Sequence, residues 1–172
     1  QSFDEKPDIL CMGKAISAGH YPVAVTIFNK KIIDAWSKLE DEGISFSKIH
    51  RRGNSITGTQ EGCALGLKVI EILDRDNLIQ KVQEKGKYVI EKLKKFEEFS
   101  NVREIRGTGL LIGIDVKNST FAKEVITPEM RKHGINILPE GRVMMFNPAY
   151  IISESQIDQF VSTLGEVLKK AE

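Results

Sequence analysis

The stretch NVREIRGTGLLIGIDV, Asn101 to Val116, sets two strand-like apolar segments around a glycine pair, Gly107 and Gly109. It demands two strands meeting at a tight turn. Beyond it, TPEMRKHG reads as the end of a helix stopped by Gly134, with Lys132 and His133 in the last turn, where cations suit the exposed carbonyls. INILPE and RVMMFNPAY read as two more strands. Ser153 and Gln156 have capping-box spacing ahead of a terminal helix, ESQIDQFVSTLGEVLKK. The order strand, strand, helix, strand, strand, helix specifies a small α+β lobe.

The first half reads differently. DILCM is a short strand, and YPVAVTIF, Tyr21 to Phe28, is a second one rich in β-branched and aromatic residues. Between them GKAISAGH places Lys14 in a connection containing Gly13 and Gly19. NKKIIDAWSKL is read as a helix packing Ile32, Ile33 and Trp36, and EDEGISFSKIHRRGNSITG as a long loop. A helix through EGCALGLKVIEIL starts near Thr57 or Thr59, with Thr57 and Gln60 at capping-box spacing. From Asp76, Ile79, Val82, Val89 and Leu93 recur at helical intervals, and the Lys/Glu-rich side is a solvated face. This half resembles the edge of a larger α/β sheet domain.

Composition narrows the class. With 41% apolar and 28% charged residues the chain suits a folded protein rather than a disordered one. A formal charge of +1, from 25 basic and 24 acidic side chains, supplies no field for nucleic acid or a polybasic membrane contact. No apolar run is long enough to span a bilayer, and the acidic, polar QSFDEKPD lacks the form of a secretory signal. Cys11 and Cys63 lie in apolar segments, which predicts two buried thiols in a reducing compartment and a cytoplasmic location. The chain opens without methionine and close to a strand, so the expectation is that material upstream is missing.

Two motifs compete for the chemistry. GTGLLIG, with glycines at 107, 109 and 113, approximates a dinucleotide fingerprint, but a strand rather than a helix follows it, so no helix terminus receives a pyrophosphate. Lys14 is the better candidate. It follows an apolar strand and precedes Ala15, Ser17, Ala18 and Gly19, small residues that let a ligand approach the backbone. A lysine amine condenses with an aldehyde once it is deprotonated, although most lysines are solvated charges. His20 and His50 have no ligand-like third partner and are read as structural, with no metal site.

PDILCMGKAISAGHYPVAV resembles the segment of class III aminotransferases, of the ornithine, acetylornithine, 4-aminobutyrate and diaminopelargonate type, that carries the lysine bonded to pyridoxal 5'-phosphate. GNSITGTQEGCALGLKVIEIL, VREIRGTGLLIGIDV and HGINILPEGRVMMFNPAYIISESQID follow in that family's order, so the resemblance covers almost the whole chain. It implies an α/β fold, a fragment of a fold type I pyridoxal-phosphate-dependent transferase. Residues 1–75 would be the C-terminal portion of the large cofactor-binding domain, and 76–172 the small C-terminal α+β domain. It implies Lys14 as the internal-aldimine lysine and Ser55 in place of a family threonine that holds the cofactor phosphate, typically across a dimer interface. It also implies Arg106 as the arginine for a substrate carboxylate, whose planar fork suits bidentate contact.

The chain departs from the family pattern at several points. Thr59 and Gln60 stand where the family usually has asparagine and proline, Thr57 where it has a small residue, and Met145 where many members have an arginine. The family's pyridine-nitrogen aspartate, phosphate cup and ring-stacking aromatic belong to a first half not found in this sequence. The activity implied is transamination between an amino acid or amine and a 2-oxo acid, in a homodimer or a complex with a chain carrying that half. A racemase or aminomutase of the same family, and a non-catalytic dimerisation subunit, are the alternatives.

Overall fold

The computed structural model describes residues 6–45 and 57–171, which divide after Asp76 into two compact units. In the first, strand β1 (Ile9–Gly13) pairs antiparallel with β2 (Ala24–Phe28), in a register that matches Ile9 with Phe28 and Gly13 with Ala24. Helix α1 (Lys30–Asp41) follows at once, because the Asn29 side chain accepts from the Ile32 amide at 3.2 Å and satisfies one of the free donors of the first turn. The Trp36 ring meets Phe28 edge on, with centroids 4.7 Å apart.

Helix α2 (Gln60–Arg75) begins with Thr59 at its cap and no side-chain capping bond. Gln60 is thus the first helical residue rather than the third, and Thr57 and Gln60 do not form the expected capping box. The helix buries Gly62 and Gly66, four residues apart on one face. A Cβ on Gly62 would lie 3.3 Å from the Tyr21 ring, and one on Gly66 would lie 3.8 Å from Ile16, so small residues let α2 lie close against the segment after β1.

The second unit builds a core around a four-stranded antiparallel sheet. Helix α3 (Leu78–Lys94) leads through a short 3-10 turn to β3 (Val102–Thr108) and β4 (Leu111–Val116). A wide π turn (Phe121–Ile126) runs into α4 (Thr127–Lys132), then β5 (Leu138–Glu140), β6 (Val143–Phe146) and α5 (Glu154–Lys170) complete the unit. The strand order is β3-β4-β6-β5. Ile105, Ile112, Ile114, Met144 and Phe146 point into the core, and α5 supplies Ile157, Phe160, Val161, Leu164 and Leu168 at intervals of one helical face. The cap of α5 is the reciprocal Ser153/Gln156 box that its spacing predicts.

Gly107-Thr108-Gly109 lies at a hairpin between β3 and β4, so the approximate dinucleotide fingerprint is a strand turn. Gly109 takes a left-handed φ of 51°, and α3 crosses so close that a Cβ on Gly86 would fall 2.2 Å from the Gly109 oxygen. No side chain fits there without moving backbone, and this contact seats the hairpin that carries Arg106. Among the described residues no helix is long and apolar enough to cross a membrane.

Candidate functional site

Lys14 stands where β1 ends. Its backbone is left-handed, with φ 53°, in a residue that has a Cβ, a conformation that costs on the order of 1 kcal/mol. Such strain persists only where the surroundings impose it, and it is concentrated at functional sites. Here the constraint comes from Ser17, a buried polar side chain. Its hydroxyl bonds the Tyr21 carbonyl and lies 3.3 Å from the Lys14 carbonyl, pinning both ends of the 3-10 turn Lys14–Ser17. Ala18 and Gly19 continue left-handed, at φ 50° and 79°, and swing the chain back toward β2.

The result is an exposed amine on a rigid turn. No hydrogen bond or ion pair from a described residue occupies the Lys14 ammonium. Its side chain borders an open hollow lined by Ser17, Gly19, His20, Tyr21 and Pro22, with no carboxylate of a described residue in its lining. An amine without a carboxylate partner, beside small residues, can accept an aldehyde, and this is the feature by which the turn fits a pyridoxal cofactor. Ser55 and His50 lie outside the described residues.

A second hollow of about 670 Å³ in the same unit is lined by Met12, Ile16, Val25, Cys63, Leu67 and Ile70, among others, and by no charged side chain among the described residues. Cys63 is exposed there, and Cys11 is exposed on β1, 3.8 Å from the Thr26 hydroxyl. The expectation of buried thiols therefore fails for both. Their segments are apolar, but the faces they occupy are not covered by other described residues.

Arg106 lies on β3 of the second unit, on the sheet face turned away from the core. Directly across the ladder from it are Gly113 and then Met145, and in the neighbouring row Glu104, Asp115 and Val143. Its guanidinium is half exposed and donates to Glu104 Oε2 at 2.6 Å. A second carboxylate lies near, with Asp115 Oδ2 3.8 Å from Arg106 Nη1. Asp115 is 6% exposed and is gripped by both arms of the Arg142 fork, Nε at 2.6 Å and Nη2 at 3.2 Å. That hydrogen bond, aided by the field of Arg142, Arg103 and Arg106, holds the Asp115 carboxyl below the usual aspartate range against the opposing effect of burial.

Asp115 and Arg142 were not singled out as site residues from the sequence. The available signal was a lone carboxylate inside LLIGIDV, between the core residues Ile114 and Val116. A charge on such a strand requires a partner, but nothing local says that the partner lies 27 residues away.

Comparison with known proteins adds an independent line. The model of the aminotransferase class-III family matches residues 1–168. An adenosylmethionine-8-amino-7-oxononanoate aminotransferase of Methanocaldococcus jannaschii is 31% identical over 98% of this chain and 38% of its own length. Gamma aminobutyrate transaminase 3, chloroplastic, of Solanum lycopersicum is 28% identical over 100% of this chain and 34% of its own. Among solved structures, an amine transaminase from an uncultivated Pseudomonas species, in its PLP-bound form, superposes with a TM-score of 0.84 at 28% identity, over 96% of this chain and 39% of that one. The chain thus spans between a third and two fifths of the length of these proteins, and its α/β architecture is that of a portion of a fold type I transferase.

Proposed function

Because this chain belongs to the class-III aminotransferase family, we propose that it carries the lysine-bearing and carboxylate-binding parts of a pyridoxal-phosphate-dependent aminotransferase. The observation that carries the reading is the Lys14 turn, an amine with no partner among the described residues on a strained, hydroxyl-pinned backbone beside an open hollow. Lys14 is the residue that would hold the cofactor aldehyde, and Ser55 one of those that would hold its phosphate. Bound pyridoxal phosphate supplies the electron sink for a substrate carbon that has lost its proton.

The chain's own groups do the rest. Lys14 Nζ, once neutral, takes the proton from the amine-bearing carbon of the donor and acts as general base at a distance that its four-carbon stem can span. In the reverse half-reaction it returns a proton to the carbon that becomes the new amino acid. Arg106 orients a carboxylate of one of the two substrates through its fork, exchanging it for the exposed Glu104 side chain. The net reaction moves an amino group from an amino acid or amine, of the range spanned by ornithine, acetylornithine, 4-aminobutyrate and diaminopelargonate, to a 2-oxo acid. We place it in the cytoplasm and in a homodimer, or in a complex with a chain that supplies the remaining cofactor contacts.

Borohydride reduction of the protein with pyridoxal phosphate, followed by peptide mapping, tests the reading. The expected result is a pyridoxyl group on Lys14. Bound cofactor with the label on another lysine overturns it. A product assay with an amino donor and 2-oxoglutarate separates transamination from racemisation.

A further inference from the structure

The outer face of the second unit's sheet holds two arginines and one buried carboxylate within reach of each other. Arg142 takes both Asp115 oxygens, while Arg106 stays 3.8 Å from the nearer one and pairs with the exposed Glu104. We propose that Arg142 is a positioning residue that sets carboxylate affinity: by saturating Asp115 it leaves the Arg106 fork free for a substrate carboxylate. The inference rests on the carboxylate role proposed above for Arg106.

The argument is one of competition. A carboxylate that is 6% exposed cannot be left to water and must find a donor. Arg142 satisfies it from a fixed position, since it follows Gly141 at φ 62° in the β5–β6 turn and its carbonyl accepts from the Val116 amide at 3.1 Å. With Arg142 removed, Arg106 is the cation already within ion-pair distance of Asp115, with Arg103 adding to the field there, and a movement of about 1 Å would convert its 3.8 Å approach into a hydrogen bond. Gly113 faces Arg106 across the ladder and adds no side chain of its own to the outer face, which the Val143 side chain overhangs there. Arg106 would then be drawn down onto the sheet and lost to the ligand.

Glu104 is a different kind of competitor. Its pair with Arg106 is exposed on both sides, 52% and 56%, so solvent screens it and an incoming carboxylate can replace it. Buried Asp115 would not let go in the same way. The two acidic residues around Arg106 therefore differ in effect: one is an exchangeable placeholder, and the other is a trap that Arg142 keeps closed.

The test uses the cofactor-loaded protein, with any chain that accompanies it, and glutarate as a non-reacting probe, its affinity read by calorimetry. Arg142→Met should weaken glutarate binding about tenfold, the scale of one charge-assisted hydrogen bond. The double variant Arg142→Met/Asp115→Asn, which removes the trap together with its keeper, should restore affinity to within about twofold of the parent. Arg142→Lys, with one point contact in place of a fork, should fall between. In turnover, the KM ratio between a carboxylate-bearing donor and a primary amine without a carboxylate should shift by the same factor as glutarate binding. A purely structural role for Arg142 would weaken both donors alike and would not be rescued by Asp115→Asn. Unchanged glutarate affinity in Arg142→Met, or no rescue in a double variant that keeps its circular dichroism, overturns the inference while Arg106→Ala still abolishes binding. Glutarate affinity that survives Arg106→Ala overturns the Arg106 reading itself.

Discussion

The two units solve opposite problems. In the second, Val89, Leu93, Ile112, Ile114, Met130, Leu164 and Leu168 are all buried to completion, around a sheet with helices on its inner face. In the first, every described large hydrophobic keeps some contact with solvent: Leu67 is 69% exposed, Ile70 51% and Ile9 49%. What it does bury, among the described residues, is Ser17, Gly62 and Gly66, a hydroxyl and two absent side chains. The first unit is thus organised around a turn, and the second around a core. The difference teaches where each is sensitive. A turn that presents one amine fails through single chemical groups, whereas a packed core fails through volume.

The sharpest way to break the contrast is at Lys14. Lys14→Ala should lower turnover by on the order of 10⁴-fold, since one residue serves as both attachment point and base, with thermal unfolding nearly unchanged. Activity within tenfold of the parent would remove the first unit's claim to the chemistry.

Next in size is a matched pair of leucines, each on a helix. Leu164→Ala in α5 should cost about 3 kcal/mol of unfolding free energy, while Leu67→Ala in α2 should cost less than about 0.5 kcal/mol. Urea unfolding of the two variants measures both. Equal losses would mean that Leu67 is covered in solution and that the first unit has a core after all.

A smaller effect is expected at Ser153, where the capping box opens α5. Ser153→Ala should destabilise the second unit by about 1 kcal/mol and speed amide exchange in the first turn of that helix. Thr59→Ala at the start of α2, where no side-chain cap forms, should change little by the same measure.

The smallest effect is a pH dependence. Asp115 has its carboxyl pKa lowered below 3.8, chiefly by the Arg142 hydrogen bond. A carboxyl with a depressed folded pKa contributes stability that is fully present above its unfolded value and is lost as pH falls through the folded one. The contribution should therefore hold above about pH 4 and fade below it. Asp115→Asn should flatten the acid limb of stability below about pH 4, and an unchanged acid midpoint would show that the pair contributes nothing to it.

Much of the second unit was legible in the sequence because its signals are local. The Gly107/Gly109 pair marks a hairpin, Ser153 and Gln156 mark a helix start, and Ile157, Phe160, Val161 and Leu164 mark the buried face of that helix. The placement of Lys14 between two strands was legible for the same reason. Thr57 was misleading: its spacing to Gln60 has the form of a capping box, but the helix begins two positions too late to use it. Cys11 and Cys63 were misleading too, because an apolar neighbourhood in sequence does not say which face of a strand or helix is covered.

By itself the sequence determined the order of the elements, the location of a lysine in a glycine-flanked turn, and membership in the class-III aminotransferases. These depend on hydrophobic period, turn chemistry and residue order, all readable within a few residues of one another. Only the tertiary structure decided that the Lys14 backbone is left-handed and held by Ser17, and that Arg142 rather than Arg106 grips Asp115. Both outcomes are settled by through-space distances. A separation of 2.6 Å against 3.8 Å decides that Arg142 holds the buried carboxylate, while Arg106 pairs with the exposed Glu104.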